Sequence, residues 1–176
     1  LEKEESVKRA RNILEGDASY DEDLWSQVIE MGFTATAIPE EYDGLGLGYL
    51  ELCVIAEELG RSLAPTPFSS SVYLATEAIL NFGDDSVKQA MLPAFASGEK
   101  IGAFAHSESN TSPTEANINC TYSDGTLSGT KIAVVDGDVA NTFIVTAKSG
   151  SSVGLYLVDG ASEGIEITPQ STLDPS

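Results

Sequence analysis

Apolar residues recur every three or four positions along the first half of the chain, which is the period of an amphipathic helix. Glycine and proline residues separate the segments that show this pattern. The predicted helices span residues 1–14, 21–31, 49–63, 68–83 and 84–98. The third of them is apolar around most of its circumference, which predicts a position at the centre of a helical bundle.

After residue 98 the pattern changes to short segments that are rich in β-branched residues and separated by turn residues, which predicts strands. The predicted strands span residues 100–107, 116–123, 131–135, 141–148, 153–159 and 164–169, with a hairpin turn at 123–126. Because the helices precede the strands instead of alternating with them, the chain is predicted to have an α+β fold with a boundary near residue 99. The same order argues against a doubly wound nucleotide-binding fold.

Three glycines at alternate positions, Gly44, Gly46 and Gly48, raise the question of a phosphate-binding loop. A dinucleotide fingerprint needs a preceding apolar strand, a GxGxxG spacing and an acidic residue about twenty positions later. Here the spacing is GxGxG, and the carboxylates of the segment 40–43 would repel a pyrophosphate. These glycines are therefore predicted to shape a loop that leads into a helix.

The charge of the chain limits its partners. Nine basic residues stand against 28 acidic ones, which gives a net charge of −19. Such a surface repels nucleic acid and anionic membranes, so we expect neither as a partner. A bound phosphate group would have to be held mainly by backbone amides and hydroxyl groups.

The two cysteines, Cys53 and Cys120, are far apart and form no CxxC pair, so the sequence predicts neither a zinc site nor a disulfide framework. Both are expected to be buried free thiols. No segment is apolar for 18 consecutive residues, and residues 1–14 are too charged for a secretion signal. A soluble cytoplasmic protein is therefore expected.

Four segments of the chain carry a family resemblance. They are IPEEYDGLGLGYLELCVIAEELGRSLAPTP, LPAFASGEKIGAFAHSE, DGTLSGTKIAVVDGDVANTFIVTAK and GLYLVDGASEGIEI. In this order and spacing, they resemble the N-terminal helical domain and most of the middle β-domain of the acyl-CoA dehydrogenases. The resemblance is specific because it extends over most of the chain and does not depend on one short motif.

The resemblance implies an N-terminal α-helical bundle, residues 1–99, followed by a small antiparallel β-barrel or sandwich domain, residues 100–176, which is incomplete. Members of the family continue into a second helical bundle. In most of them that bundle carries the catalytic carboxylate. No residue of this sequence is therefore assigned as the catalytic base.

The resemblance also implies FAD as the cofactor and an acyl-CoA thioester as the substrate. In the family a carboxylate removes the α-proton while the β-hydrogen leaves as hydride to the flavin, which gives a trans-2-enoyl-CoA. Hydrogen bonds polarise the thioester carbonyl so that the α-carbon can lose its proton. Homo- or hetero-oligomers with acyl-CoA dehydrogenase subunits are the implied assemblies.

By the same resemblance, the first flavin loop implies cofactor contacts at Phe104, His106 and Ser107. Ser107 keeps the hydroxyl of the threonine that usually contacts the flavin ring. Further along the loop, Pro113 and Thr114 replace a serine and an aspartate, and two glycines of the family pattern are absent. Proline also removes a backbone amide donor where the family uses amides to hold an anion.

The second flavin segment corresponds to Ala133, Val134 and Val135, which follow a retained GTK motif at 129–131. By register, Ala133 replaces a shielding aromatic residue and Val135 replaces a threonine that hydrogen-bonds the flavin. Loss of that hydroxyl leaves a polar flavin atom without its partner, at a cost of about 1–3 kcal/mol in a dry site. Both changes weaken the implied site. Without the family register, the three residues would be ordinary strand residues.

His106 is the only histidine of the sequence, which excludes a two-histidine metal centre and leaves one possible base for a Ser-His-Asp triad. Its neighbour Ser107 is expected on the opposite face of the strand, which is poor geometry for activation. His106 is therefore expected to lead the strand into the loop. The acidic cluster 21–23 is expected to start a helix, since it lacks the spacing of a calcium-binding loop.

Three functions remain open on these grounds. The first is the N-terminal part of a flavin-dependent acyl-CoA dehydrogenase whose remainder carries the base. The second is a non-catalytic subunit that pairs with an active homologue in a hetero-oligomer, which the altered flavin loops favour. The third is an unrelated binding module, with helices and strands, that only looks similar.

Overall fold

The computed structural model describes residues 3–111 and 114–170, with side chains described from Ser6 onward. The helices are α1 (Lys3–Glu15), α2 (Glu22–Glu30), α3 (Tyr49–Arg61), α4 (Glu77–Phe82) and α5 (Asp85–Ala96). A π-helix, Ser69–Thr76, runs directly into α4, and short 3-10 turns span Phe33–Ala35, Glu40–Tyr42 and Glu115–Asn117. Within the described ranges no helix is both long enough and apolar enough to cross a membrane.

The strands follow the helices along the chain. They are β1 (Gly102–Ala105), β2 (Thr121–Ser123), β3 (Thr126–Ser128), β4 (Thr142–Ser149) and β5 (Ser152–Asp159). This order of elements confirms the α+β fold class that the sequence predicts.

Helix α2 begins where the sequence predicts. Asp21 caps it, since its carboxylate accepts a 2.8 Å hydrogen bond from the backbone N–H of Leu24. The same carboxylate pairs with the guanidinium of Arg9 at 2.8 Å, which ties α1 to the start of α2. Trp25 and Val28 on the inner face are buried, so this face anchors the helical layer.

The glycine-rich loop 34–48 is closed by its own backbone. The amides of residues 45–47 each donate a 2.9 Å hydrogen bond to a carbonyl of the segment 35–38. A side chain at Gly44 would collide with the carbonyl of Ile38. The amides that a phosphate would need are therefore already used, and the glycines shape a loop that leads into α3, as predicted.

Helix α3 does not lie at the centre of a bundle, so that prediction is wrong. Leu52 is buried, and Ile55 and Leu59 are partly buried against the same cluster. The opposite face, which carries Leu50 and Val54, is exposed. Apolar residues do surround the helix, but the described part of the chain packs against one side of it.

The two cysteines differ in their surroundings. Cys120 is buried as expected, and burial raises the pKa of its thiol. Cys53 is exposed, so the expectation of a second buried thiol is wrong. Cys53 follows Leu52 on α3 and lies outside the side of the helix that packs on the core.

The π-helix, α5 and the sheet share the main core. Ala75 and Phe95 are buried there together with Ile144 of β4. Gly102, at the start of β1, lies so close to Ala75 and Phe95 that a methyl group in its place would overlap both. This close approach requires glycine and sets the position of β1 against the helices.

The sheet is mixed. Strand β4 runs parallel to β1 over 142–145 and antiparallel to β5 along its whole length. Strands β2 and β3 form the predicted hairpin, and β2 meets β4 through one parallel pair, Thr121 with Lys148. The described strands do not close into a barrel. Within the α+β class, the implied antiparallel barrel is thus an open mixed sheet, because the long connection from β1 to β4 permits parallel pairing.

Two predicted strands, 131–135 and 164–169, are not strands in the structure. Ala133 and Asp136 adopt left-handed backbone conformations, with φ of 51° and 54°, and Gly164 does so with a φ of 86°. Such residues interrupt an extended run. The segment after β3 is therefore a loop, whose path decides what its side chains and amides face.

Candidate functional site

The end of β1 carries the first predicted site residues. Phe104 packs against the main core, and its ring stacks on the imidazole of His106 with 5.7 Å between ring centres. The Nδ1 atom of His106 lies 3.1 Å from the hydroxyl of Thr146 on β4. The histidine is thus held between strand neighbours. In the described ranges no cluster of three or more His, Cys, Asp or Glu side chains is suited to a metal ion.

Ser107 lies where the loop after β1 meets the segment after β3. Its carbonyl accepts a 2.8 Å hydrogen bond from the backbone N–H of Ile132. Its side chain is half-buried, and no described residue makes a hydrogen bond to its hydroxyl. The bond to Ile132 brings Ser107 close to the segment 133–135.

The three residues of that segment differ in their surroundings. Ala133 and Val135 are exposed, whereas Val134 packs on the small cluster around Phe143. The N–H of Ala133 donates to the side-chain oxygen of Gln170 at 3.3 Å. The N–H groups of Val134 and Val135 have no acceptor among the described residues. We refer to the Ser107 hydroxyl and these two N–H groups, which lie in segments joined by the bond from Ile132, as the Ser107 edge; none of the three has a hydrogen-bond partner among the described residues.

A buried ion pair joins the same two segments. The Nζ of Lys131 donates to Oε1 of Glu108 at 2.7 Å, and both side chains are 9% exposed. The ammonium also donates to the carbonyl of His106 at 3.2 Å and to the hydroxyl of Thr146 at 3.0 Å. Its three hydrogens therefore have three acceptors.

The carboxylate of Glu108 is equally well satisfied. It accepts hydrogen bonds from the backbone N–H groups of Asn119 at 2.6 Å and Cys120 at 3.0 Å. Burial favours the neutral acid, but the bonds from Lys131 and the two amides outweigh burial and lower the pKa of Glu108 from 4.5 to about 2. Because the pKa is lowered on folding, the stabilisation is complete above pH 4.5 and is lost as the pH falls toward 2.

Neither Glu108 nor Lys131 is among the site residues predicted from the sequence. Both belong to motifs that the chain keeps from the family pattern, at positions flanked by departures from it. That retention was the available signal. The pairing itself joins residues 23 positions apart and depends on how β1, β3 and β4 bring their loops together.

Two further carboxylates tie the loop after β3 to the helical layer. Ser70 of the π-helix donates to Asp136 at 2.6 Å, and Ser19 donates to Asp138 at 2.5 Å. Burial raises the pKa of Asp136. The bond from Ser70 opposes that rise, and the charge of Asp138 adds to it. The loop that follows Val135 is therefore anchored to the helices by hydroxyl groups.

An open cleft of about 450 Å³ lies beside His106. It is lined by His106, Thr114, Glu115, Ile118, Ser152 and Val153. Ser107 and the segment 133–135 do not line it, so the predicted site residues divide between the cleft and the Ser107 edge. Pro113, at which the first loop departs from the family pattern, lies outside the described residues.

The Ser107 edge lies where the family resemblance implies the ring of a flavin. A flavin ring carries polar atoms along one side, and the edge offers a hydroxyl and the two N–H groups of Val134 and Val135 without described protein partners. Ser107 and Val134 are half-buried, so their free polar groups call for a partner, whereas water can satisfy the N–H of the exposed Val135. The diphosphate of FAD would need other partners, because the ammonium of Lys131 is already paired with Glu108. The groups present would therefore hold the ring and leave the diphosphate to residues elsewhere.

Comparison with known proteins finds relatives among the acyl-CoA dehydrogenases. The family model for the N-terminal domain of acyl-CoA dehydrogenases matches residues 2–99. The acyl-CoA dehydrogenase FadE27 of Mycobacterium tuberculosis is 32% identical over 87% of this chain and 41% of its own length. The mitochondrial short-chain specific acyl-CoA dehydrogenase of Bos taurus is 37% identical over 70% of this chain and 32% of its own length.

Solved structures agree with the sequence relatives. The ChsE4-ChsE5 complex from Mycobacterium tuberculosis aligns with a TM-score of 0.80 at 29% identity, over 92% of this chain and 44% of that one. The acyl-CoA dehydrogenase of Geobacillus kaustophilus aligns with a TM-score of 0.73 at 26% identity, over 93% of this chain and 50% of that one. The chain spans less than half the length of the curated relatives named above. The chain belongs to the acyl-CoA dehydrogenase family.

Proposed function

We propose that this chain is part of a flavin-dependent acyl-CoA dehydrogenase, which removes the α- and β-hydrogens of an acyl-CoA thioester. Family membership supports the reaction. The proposal divides the chain into a helical unit, residues 1–99, and an incomplete β unit, residues 100–176. It assigns no catalytic base to this chain and attributes the base to the remainder of the enzyme. A cytoplasmic location is part of the same proposal.

One observation carries the assignment of the cofactor contact. The hydrogen bond from the N–H of Ile132 to the carbonyl of Ser107 joins the two segments that the family resemblance links to FAD. At this junction the Ser107 hydroxyl and the N–H groups of Val134 and Val135 have no described partner. A flavin ring supplies polar atoms for such groups.

Bound flavin would supply the hydride acceptor of the reaction. The residues of this chain would bind and orient the ring. The hydroxyl of Ser107 and the amides of Val134 and Val135 would serve as its hydrogen-bond donors. Since the backbone of β1 and the bond to Ile132 hold Ser107 in place, these donors are preorganised and lose little freedom on binding.

The side chains at this edge hold a ring less tightly than the family pattern would. Ala133 offers no aromatic surface, and Val135 offers no hydroxyl and is 55% exposed. One face of the ring is therefore left to water or to another part of the assembly. These departures support a weak flavin contact in this chain.

Substitution of Ser107 by alanine tests the contact. Loss of one hydrogen bond to a desolvated flavin atom is expected to weaken FAD binding about tenfold in the full polypeptide. Binding is measured by the visible absorbance and fluorescence of FAD during titration. The control is Ser128→Ala, because Ser128 is exposed on β3 and its loss is expected to leave binding unchanged.

Equal FAD affinity in the Ser107→Ala variant and in the wild type would remove Ser107 from the site. Failure of the wild-type polypeptide to take up FAD at all would contradict the flavin proposal itself. Thermal unfolding of the same samples is the control that shows whether the fold is intact in each case.

The second candidate is a non-catalytic subunit that pairs with an active homologue. The exposed apolar face of α3 favours it, since Tyr49, Leu50 and Val54 are 64%, 75% and 59% exposed. Contiguous apolar surface of this kind marks protein contacts. One similar solved structure is described as a complex, that of ChsE4 with ChsE5. The altered flavin segment, with Ala133 and Val135 in place of an aromatic residue and a threonine, favours a hetero-oligomer over a homo-oligomer.

Light scattering of the intact polypeptide, purified alone and with a homologous acyl-CoA dehydrogenase subunit, separates the two candidates. A hetero-oligomer in which the homologue holds all of the FAD supports the non-catalytic subunit. A homo-oligomer that holds its own FAD and oxidises an acyl-CoA contradicts it.

A further inference from the structure

The buried pair of Glu108 and Lys131 makes none of the contacts proposed for the cofactor, yet it lies between the two segments that make them. We propose that this pair is a clamp that positions Ser107 and the segment 133–135 against each other. Glu108 and Lys131 are then positioning residues of the site. The expected effect of the pair on FAD binding rests on the proposed function. Its effect on the relative position of the two segments rests on the geometry alone.

The clamp connects four parts of the β unit. Glu108 belongs to the loop after β1 and is bound by the amides of Asn119 and Cys120, which precede β2. Lys131 follows β3 and donates to the hydroxyl of Thr146, a buried residue of β4. The ion pair therefore links the hairpin of β2 and β3 to the pair of β1 and β4, which β2 otherwise meets through a single residue pair with β4.

Ser107 is held on both sides by this arrangement. The residue before it, His106, offers its carbonyl to Lys131, and the residue after it, Glu108, carries the paired carboxylate. The carbonyl of Ser107 itself is held by Ile132, the neighbour of Lys131. Rotation of the backbone at Ser107 breaks one of these bonds, so the clamp fixes the direction of its Cα–Cβ bond, from which the hydroxyl projects.

The two possible roles of the pair respond differently to substitution. Removing one partner of a buried ion pair leaves the other charge uncompensated and destabilises the fold strongly. Replacing both partners with neutral side chains of similar size is often tolerated. A merely structural pair would thus be rescued in every respect by the double replacement. A positioning pair would regain stability without regaining the alignment of the two segments.

The experiment compares Lys131→Met, Glu108→Gln and the double variant in the full polypeptide. Three quantities are measured: the thermal unfolding midpoint, hydrogen exchange of the Ile132 amide, and FAD affinity. The matched control is the exposed pair of Arg61 with Glu57, which has the same 2.7 Å separation but side chains that are 63% and 70% exposed. Its variants are Arg61→Met, Glu57→Gln and their combination.

In the single Lys131→Met variant, we expect exchange of the Ile132 amide to accelerate about tenfold or more and FAD affinity to fall by about the same factor. In the double variant, we expect the thermal unfolding midpoint to recover most of the way to the wild-type value. Exchange of the Ile132 amide is expected to stay fast, and FAD affinity is expected to stay low. The Arg61 and Glu57 variants are expected to change each quantity less than about twofold, as exposed pairs contribute little.

Recovery of both stability and FAD affinity in the double variant would reduce the pair to structural support and overturn the inference. Unchanged exchange of the Ile132 amide in Lys131→Met would overturn it as well. If the wild type takes up no FAD, the proposed function fails, and the exchange of the Ile132 amide still decides whether the pair holds the two segments together.

Discussion

Two carboxylates near the candidate site are withdrawn from water, and their surroundings move their pKa values in opposite directions. For Glu108, burial is outweighed by an ammonium and two amides, and the pKa falls to about 2. For Asp136, burial is opposed by one hydroxyl, that of Ser70, and reinforced by the charge of Asp138, so the pKa rises. At the scale of single residues, a buried carboxylate stabilises this fold where a cation and several donors accompany it.

Replacement of Asp136 by asparagine is expected to stabilise the protein at neutral pH. Asparagine keeps an oxygen that accepts the hydrogen bond of Ser70 and tolerates the left-handed backbone at this position, but carries no charge. Because the folded pKa is raised, the cost of the wild-type charge is complete above that pKa. It disappears as the pH falls to 3.8, and the advantage of asparagine disappears with it.

Thermal unfolding at several pH values measures this effect. In a chain of this size, a gain of about 1 kcal/mol raises Tm by about 2–4 °C. Asp124→Asn is the control, since Asp124 also has a left-handed backbone, with a φ of 49°, but is exposed in the hairpin turn. A Tm for Asp136→Asn at or below that of the wild type at neutral pH would show that the charge is not unfavourable there.

Some of these residue contacts were predictable from the sequence. It placed Asp21 at the start of α2, and family register singled out Ser107, because caps and motifs depend on near neighbours in the chain. It missed the partnership of Glu108 with Lys131 and the anchoring of Asp136 by Ser70. Ser70 and Asp136 lie 66 positions apart, and their contact requires the helical layer and the sheet to be packed together.

At the scale of elements, the position of β1 depends on a glycine. Gly102 allows the strand to approach Ala75 of the π-helix and Phe95 of α5. Helix α3 contrasts with β1, because Gly60 near its end has no atom within 4 Å of the place where a methyl group would stand. Adding a methyl group is therefore expected to lower stability at Gly102 and to raise it at Gly60.

Gly102→Ala is expected to destabilise the fold by about 1–3 kcal/mol, because the added methyl group overpacks the core. Gly60→Ala, its matched control, is expected to stabilise by about 0.5–1 kcal/mol, because alanine loses less backbone freedom in a helix. Chemical denaturation of both variants measures the free energies of unfolding. Equal stability of Gly102→Ala and the wild type would mean that β1 does not depend on this close approach.

The elements themselves were predictable to different degrees. The helices and the hairpin at 123–126 follow from period, caps and turn residues, and the structure confirms them. The predicted strands 131–135 and 164–169 are wrong, because Ala133, Asp136 and Gly164 turn the backbone away from an extended path. A run of β-branched residues indicates that a strand is possible, and a partner strand decides whether it forms.

At the scale of the whole molecule, the net charge of −19 works against the compact state. Acidic residues outnumber basic ones about threefold, and basic side chains such as Arg9, Lys100 and Lys131 already pair with carboxylates. The remaining negative charges repel each other across the surface. The same net charge is the basis of the expectation that nucleic acid and anionic membranes are not partners.

Raising the ionic strength from about 0.01 M to about 0.15 M is therefore expected to raise Tm, since salt shortens the range of the repulsion from about 30 Å to about 8 Å. Thermal unfolding in sodium chloride measures the change. A non-ionic osmolyte at equal osmolality is the control and is expected to have a smaller effect. A Tm that falls with added salt would indicate that ion pairs, and not repulsion, dominate the surface electrostatics.

By itself, the sequence determined the positions of the helices, the order of helices before strands and the family to which the chain belongs. Those properties depend on neighbouring residues and on the order of motifs along the chain. The tertiary structure alone decided that α3 is peripheral, that β1 pairs parallel to β4 and that Glu108 meets Lys131. Each of these depends on contacts between distant segments, whose free energy is set by packing, burial and partner geometry that no local pattern contains.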